Sequence, residues 1–109
     1  MPKASLVVLI SGGGSNLQAI IDAIENNQLD AEIKAVISNK STAFGLERAK
    51  QANIKTFVID NKQFPDRESF DRAMMQIIDP LEPELVILAG FMRILSDVFI
   101  DHYQPVHLV

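Results

Sequence analysis

The sequence predicts an α/β protein built on an open, doubly wound parallel β-sheet. Three observations predict it. Short, continuously apolar runs such as SLVVLI (Ser5–Ile10) and ELVILAG (Glu84–Gly90) suit strands covered on both faces. The segments between such runs carry apolar residues at helical spacing, and the connections are short. A glycine triplet, Gly12 to Gly14, falls at the first strand-to-helix junction, where sheets of this kind bring the backbone close to a ligand.

Ser5–Ile10 reads as the first strand. After the glycines, Leu17, Ile20, Ile21 and Ile24 fall at i, i+3, i+4 and i+7, one apolar stripe with Gln18, Asp22 and Glu25 off it. Ser15 is expected to cap that helix, and Gln18 completes a Ser-x-x-Gln capping box. IKAVIS (Ile33–Ser38) reads as strand two, and Thr42 to about Ala52 as a helix with Ala43, Leu46 and Ala49 inward. KTFVID (Lys55–Asp60) reads as strand three. Asp66 is a good N-cap for a helix carrying Phe70, Ala73, Met74, Ile77 and Ile78, which Pro80 and Pro83 stop. Glu84–Gly90 is strand four, Ser96 to Tyr103 a short helix, and the closing VHLV begins like a fifth strand. Right-handed crossovers then give a sheet of order 3-2-1-4, with residues 1–109 as one domain. The expected sheet is truncated in its fifth strand, which implies a larger continuation.

A chain of 109 residues fits one small domain, able to bury roughly 60–70% of the surface its unfolded form exposes. Without cysteine there is neither a disulfide framework nor a thiolate metal site, and two histidines, His102 and His107, make a poor metal set, so no metal is expected. The net charge of −4, with Lys and Arg scattered among carboxylates, argues against a nucleic-acid binder and for a small-molecule ligand. The N-terminal MPKASLVVLIS is too short for a signal-peptide core or a membrane span, so a cytoplasmic location with no membrane partner is the expectation. Self-association into a homo-oligomer stays open.

The glycines allow positive φ and close backbone approach, and the helix start adds N–H donors and partial positive charge, so a phosphate is the natural guest. One helix end contributes about 0.3–1 kcal/mol, so most of the affinity must come from several hydrogen bonds, with Ser15 and Asn16 supplying side chains. A dinucleotide fingerprint finds Gly12 and Gly14 but Leu17 in its third place, and strand two ends in Ser38-Asn39-Lys40 instead of an acidic residue. A P-loop would need a lysine after the glycines, and none stands between Lys3 and Lys34. A nucleophile elbow would need Gly-x-Ser-x-Gly, and Asn16-Leu17 follow Ser15. Binding of a single phosphate group survives, alongside the plainer reading of a tight turn.

LAGFMRIL (Leu88–Leu95) is apolar where a surface loop would be polar. In the expected sheet, strands one and four are neighbours, and their carboxyl ends flank the ligand crevice. Phe91, Met92, Ile94 and Leu95 suit the wall of a flat apolar slot. Some of Phe91, Ile94 and Leu95 suit the core equally well, which leaves Met92 and Arg93 as the better candidates for exposure.

VVLISGGGSNLQAIIDA, ISNKSTAFGLERA and ELVILAGFMRILS, in this order and spacing, resemble the phosphoribosylglycinamide formyltransferase family, over essentially the whole chain to about Tyr103. The resemblance implies a Rossmann-like formyltransferase fold and transfer of a formyl group from the co-substrate 10-formyltetrahydrofolate to the amine of glycinamide ribonucleotide in purine synthesis. It implies that Gly14, Ser15 and Asn16 bind the nucleotide phosphate. Arg67 looks like the family's folate-side arginine, and Met92, Arg93, Ile94 and Leu95 like the wall of the pterin pocket. The family's strand runs on into an Asn-x-His-Pro-Ser motif with a catalytic Asp much later, and no such run occurs here. His102 reads as helix surface and His107 as a strand residue out of register, so no catalytic residue is assigned and the chain alone is expected to lack turnover. The competing reading is a non-catalytic phosphate-ligand-binding module.

Overall fold

The computed structural model describes residues 3–103 and 106–108. Five parallel strands, β1 (Ala4–Ile10), β2 (Ala31–Ser38), β3 (Thr56–Val58), β4 (Leu85–Leu88) and β5 (Val106–Leu108), form one sheet of order β3-β2-β1-β4-β5. The helices are α1 (Ser15–Glu25), α2 (Gly45–Gln51), α3 (Arg67–Ile78) and α4 (Asp97–His102). The doubly wound parallel sheet expected from the sequence is therefore present, with strands one and four as neighbours.

The continuous apolar run of β1 follows from its central place. Leu6, Val8 and Ile10 face α1 and α2, where they meet Leu17, Ile21, Leu46 and Ala49. Val7 and Leu9 face the other way, toward Phe70, Met74 and Ile78 of α3 and Phe99 of α4. Each such side chain, fully withdrawn from water, contributes about 1.5–3 kcal/mol. Two cores thus share one sheet, and an alternating polar residue in β1 would spoil one of them.

Element ends differ from expectation where tertiary contacts intervene. β4 ends at Leu88, because the chain turns through Gly90 at φ 69°. α2 begins at Gly45 and not Thr42, since the Gly45 N–H is taken by the Gly12 carbonyl at 3.0 Å. Asp66 caps α3 as the sequence indicates, accepting from the Ser69 N–H at 2.8 Å. α3 stops at Ile78, just before Pro80. His102 lies on the exposed surface of α4 and His107 within β5, as read from the sequence.

Candidate functional site

The register aligns the carboxyl ends of the strands: Ile10 with Ser38, Ser38 with Val58, Leu9 with Leu88. The loops that follow them gather at one end of the molecule. A cavity of about 280 Å³ opens there, lined by residues 11–16, Lys40, Ala89, Gly90 and Met92. A hollow of similar volume lies at the opposite end of the strands, among Ile21, Ile24, Ala52 and Ile54. The helices present their C-terminal, carbonyl-bearing ends to that second hollow, which makes it the wrong end for an anion.

Backbone contacts set the glycine loop. Gly14 has φ 76°, and a Cβ on it would stand 2.7 Å from the Gly45 Cα, so only glycine fits. Three carbonyls in a row are bonded: Gly12 O by the Gly45 N–H at 3.0 Å, Gly13 O by Arg48 Nε at 2.7 Å, and Gly14 O by the Gln18 N–H at 2.8 Å. Arg48 lies over the Phe44 ring, 5.1 Å from its centroid, and also reaches Gln18 Oε1 at 3.3 Å.

The expected capping box does not form. Gly14 itself is the N-cap, Ser15 is the first helical residue, and Gln18 Nε2 donates forward to Asp22 Oδ1 at 2.9 Å. The physical reason is the close approach of α2: the left-handed Gly14 brings the helix start one residue earlier than a serine cap would place it.

A chain of buried and half-buried polar side chains runs from the cavity lining into the sheet end. Ser11 Oγ donates to Asn39 Oδ1 at 2.6 Å and accepts from the Met92 N–H at 2.8 Å, while Asn39 Nδ2 donates to Asn61 Oδ1 at 3.1 Å. The loops after β1, β2, β3 and β4 are thereby joined. Ser38 Oγ donates to the Lys40 carbonyl at 2.7 Å and accepts from its N–H at 3.0 Å, fixing the turn that carries Lys40 to the rim. Among the described residues Lys40 is the one charged residue lining the cavity, and no carboxylate lines it, although the chain carries −4 overall. Such a site attracts an anion.

The structure brings Gly14, Ser15, Asn16 and Met92 together in this cavity. Arg93, Ile94 and Leu95 continue from it without lining it. Met92 and Ile94 are 79% and 71% exposed, and Arg93 is exposed too. Phe91 and Leu95 are half-buried against the α3 and α4 core, so Ile94 belongs with the exposed pair and not with the core. Arg67 is exposed in the first turn of α3, outside the cavity and one turn before Asp71. Asp71 is wholly buried, and its Oδ2 accepts from both the N–H and the Oγ of Ser96 at 2.6 Å.

Ser11, Asn39, Lys40, Arg48 and Asp71 join the site or its supports without having been among the site residues expected from the sequence. Asp71 did leave a signal: it shares the apolar stripe of Met74 and Ile78 at i, i+3 and i+7, where a carboxylate needs a reason. Among the described residues no group of three or more His, Asp or Glu could hold a metal, and no helix is long and apolar enough to cross a membrane.

An open parallel sheet with a glycine-lined cavity at the carboxyl ends of β1 and β4, free of carboxylates among the described residues, defines an α/β protein whose cavity has the charge and donors to suit a small anion. The chain belongs to the formyl transferase family, whose sequence profile matches residues 4–108. It is 54% identical over 99 residues to phosphoribosylglycinamide formyltransferase of Escherichia coli (strain K12), covering 91% of this chain and 47% of that protein. It is 46% identical over 102 residues to the human trifunctional purine biosynthetic protein adenosine-3, covering 94% of this chain and 10% of that one. The solved phosphoribosylglycinamide formyltransferase of Coxiella burnetii superposes with a TM-score of 0.90 at 50% identity, over 94% of this chain and 48% of that one. The chain spans about half the length of these bacterial relatives.

Proposed function

We propose that these residues bind the two substrates of a phosphoribosylglycinamide formyltransferase, acting as its N-terminal nucleotide-binding domain in cytoplasmic purine synthesis. Gly14, Ser15 and Asn16 hold the phosphate of glycinamide ribonucleotide, with Lys40 as the facing positive charge. Met92, Arg93, Ile94 and Leu95 form the wall against which 10-formyltetrahydrofolate lies, with Arg67 on its polar side. The folate brings the formyl group; the chain's own residues bind and orient, so that the substrate amine meets the formyl carbon at the mouth between β1 and β4.

The observation that carries this reading is the cavity: glycine-walled, with a lysine and no carboxylate, beside an exposed apolar segment. A phosphate fits the first part by charge and by the donors of a helix start. Exposed Met92 and Ile94 suit a flat heterocycle, since covering apolar surface is favourable by roughly 25 cal/mol per Å².

Titration with glycinamide ribonucleotide, followed at the Ser15 and Asn16 backbone amides, tests the phosphate half. Both amides are expected to shift, and Asn16→Ala is expected to weaken binding by about 0.5–1.5 kcal/mol. Amides that stay put while others move would reduce the glycines to a turn.

A further inference from the structure

Two segments border the cavity, and they are held by different means. The glycine loop is fixed by the bonds to Gly45, Arg48 and Gln18, none of which uses the Ser11 side chain. The segment from Met92 to Ser96 is tied at its two ends by buried polar side chains from distant parts of the chain. At its start the Met92 N–H donates to Ser11 Oγ, which Asn39 orients. At its end both donors of Ser96 converge on one oxygen of Asp71. Between these ties the backbones of Arg93, Ile94 and Leu95 form no hydrogen bond among the described residues.

Packing does not explain these groups. Asp71 is 0% exposed, and its Oδ1 has no hydrogen-bond partner among the described residues. A buried carboxylate with one oxygen unsatisfied destabilises the fold relative to an apolar side chain of similar volume. What Asp71 adds is geometry, because it fixes the serine that starts α4 and closes the exposed segment. Ser11, 4% exposed, does the same at the other end.

We infer that Ser11 and Asp71 are positioning residues, a pair of clamps that set the conformation of the 92–96 segment independently of the glycine loop and so preform the folate wall. The folate part rests on the functional reading above. Without the clamps, three unbonded residues must be ordered when the ligand arrives, and affinity falls on that side of the cavity alone.

The test compares two probes on the same chain: 5-formyltetrahydrofolate for the apolar wall and inorganic phosphate for the glycine loop. Ser11→Ala and Asp71→Ala are each expected to weaken the folate about tenfold, and Asp71→Ala, which lies outside the cavity lining, is expected to leave phosphate affinity within about twofold. Asp71→Asn keeps an oxygen that can accept from Ser96, and is expected to stay within about threefold of the parent chain. Should Asp71→Ala fail to fold, Ser96→Ala removes one of the two bonds at a half-buried position and is expected to lose about threefold. Equal losses for both probes in Asp71→Ala or Ser96→Ala, or unchanged folate affinity in Ser11→Ala and Ser96→Ala, would overturn the inference. If the parent chain binds phosphate but no folate, the functional reading of the wall fails, and backbone order parameters decide the clamps separately. A drop at Arg93, Ile94 and Leu95 in Ser11→Ala, with Gly12 to Gly14 unchanged, supports them; no drop refutes them.

Discussion

The glycine loop lines the cavity and the 91–96 segment leads away from its rim through Met92, yet the two are built on opposite principles. The first removes side chains, so that backbone meets backbone: Gly14 against Gly45, and carbonyls of residues 12 and 13 against donors of α2. The second keeps large side chains in the open and relies on single buried polar groups, Ser11 and Asp71, to hold its ends. A loop made by close approach tolerates almost no added atom at its tightest point. A segment made by remote ties tolerates change along its length and fails when a tie is lost.

The sharpest way to break the first half of that contrast is Gly14→Ala. A left-handed φ combined with a Cβ 2.7 Å from backbone should destabilise the chain by about 2–4 kcal/mol, read from urea unfolding. A loss under about 1 kcal/mol would mean that α2 yields easily and the loop is not set by close approach.

Lys40→Ala comes next, and it separates charge from shape. Hydrogen bonds to a charged partner are worth about 1.5–3 kcal/mol, so phosphate affinity should fall roughly tenfold or more in calorimetry at low salt. The gap between the two chains should narrow as salt screens the lysine. A gap that ignores salt would remove Lys40 from the site.

The far end of α4 offers a smaller, pH-dependent test of how firmly the second segment is backed. Partial burial pushes the Asp79 carboxyl upward, but hydrogen bonds from Tyr103 (2.5 Å) and His102 (2.9 Å) outweigh it and hold the group below its ordinary 3.8. Burial first, and then the Asp79 carboxylate, push the Tyr103 hydroxyl well above its ordinary 10.0. The lowered carboxyl contributes stability that is complete above 3.8 and is lost as pH falls through its folded value. The raised phenol contributes stability that is complete below 10.0 and is lost as pH rises toward its folded value. Tyr103→Phe should therefore lower the urea midpoint most between those two limits and converge with the parent chain at strongly alkaline pH. Parallel profiles across the whole range would deny the Tyr103–Asp79 bond any part in stability.

The smallest effect is expected where the glycine loop opens into the cavity. A Cβ on Gly12 would meet nothing within 4 Å, so Gly12→Ala should change stability by less than about 0.5 kcal/mol. Its methyl group would still stand beside the proposed phosphate site, and affinity measured on the same protein would tell crowding from folding.

The residues that repeat at helical spacing fixed which face of α1 and α3 turns inward, and β1 could be read as a doubly covered strand because an uninterrupted apolar run has no other stable place. Those are local facts of period and hydrophobicity, and so is the need for glycine near a strand-to-helix turn. Which glycine would be the left-handed one was not local, because it depends on where Gly45 of α2 comes to rest, 31 residues away, and that displaced the expected serine cap. Ser11 and Asn39, or Asp71 and Ser96, meet at 2.6 Å only because the crossovers bring separate loops to the same end of the sheet. Hydrogen-bond partners so far apart in sequence leave no periodicity to read, so the sequence by itself determined the layers and the glycine-lined turn, while tertiary structure decided which polar side chains hold the cavity's edges.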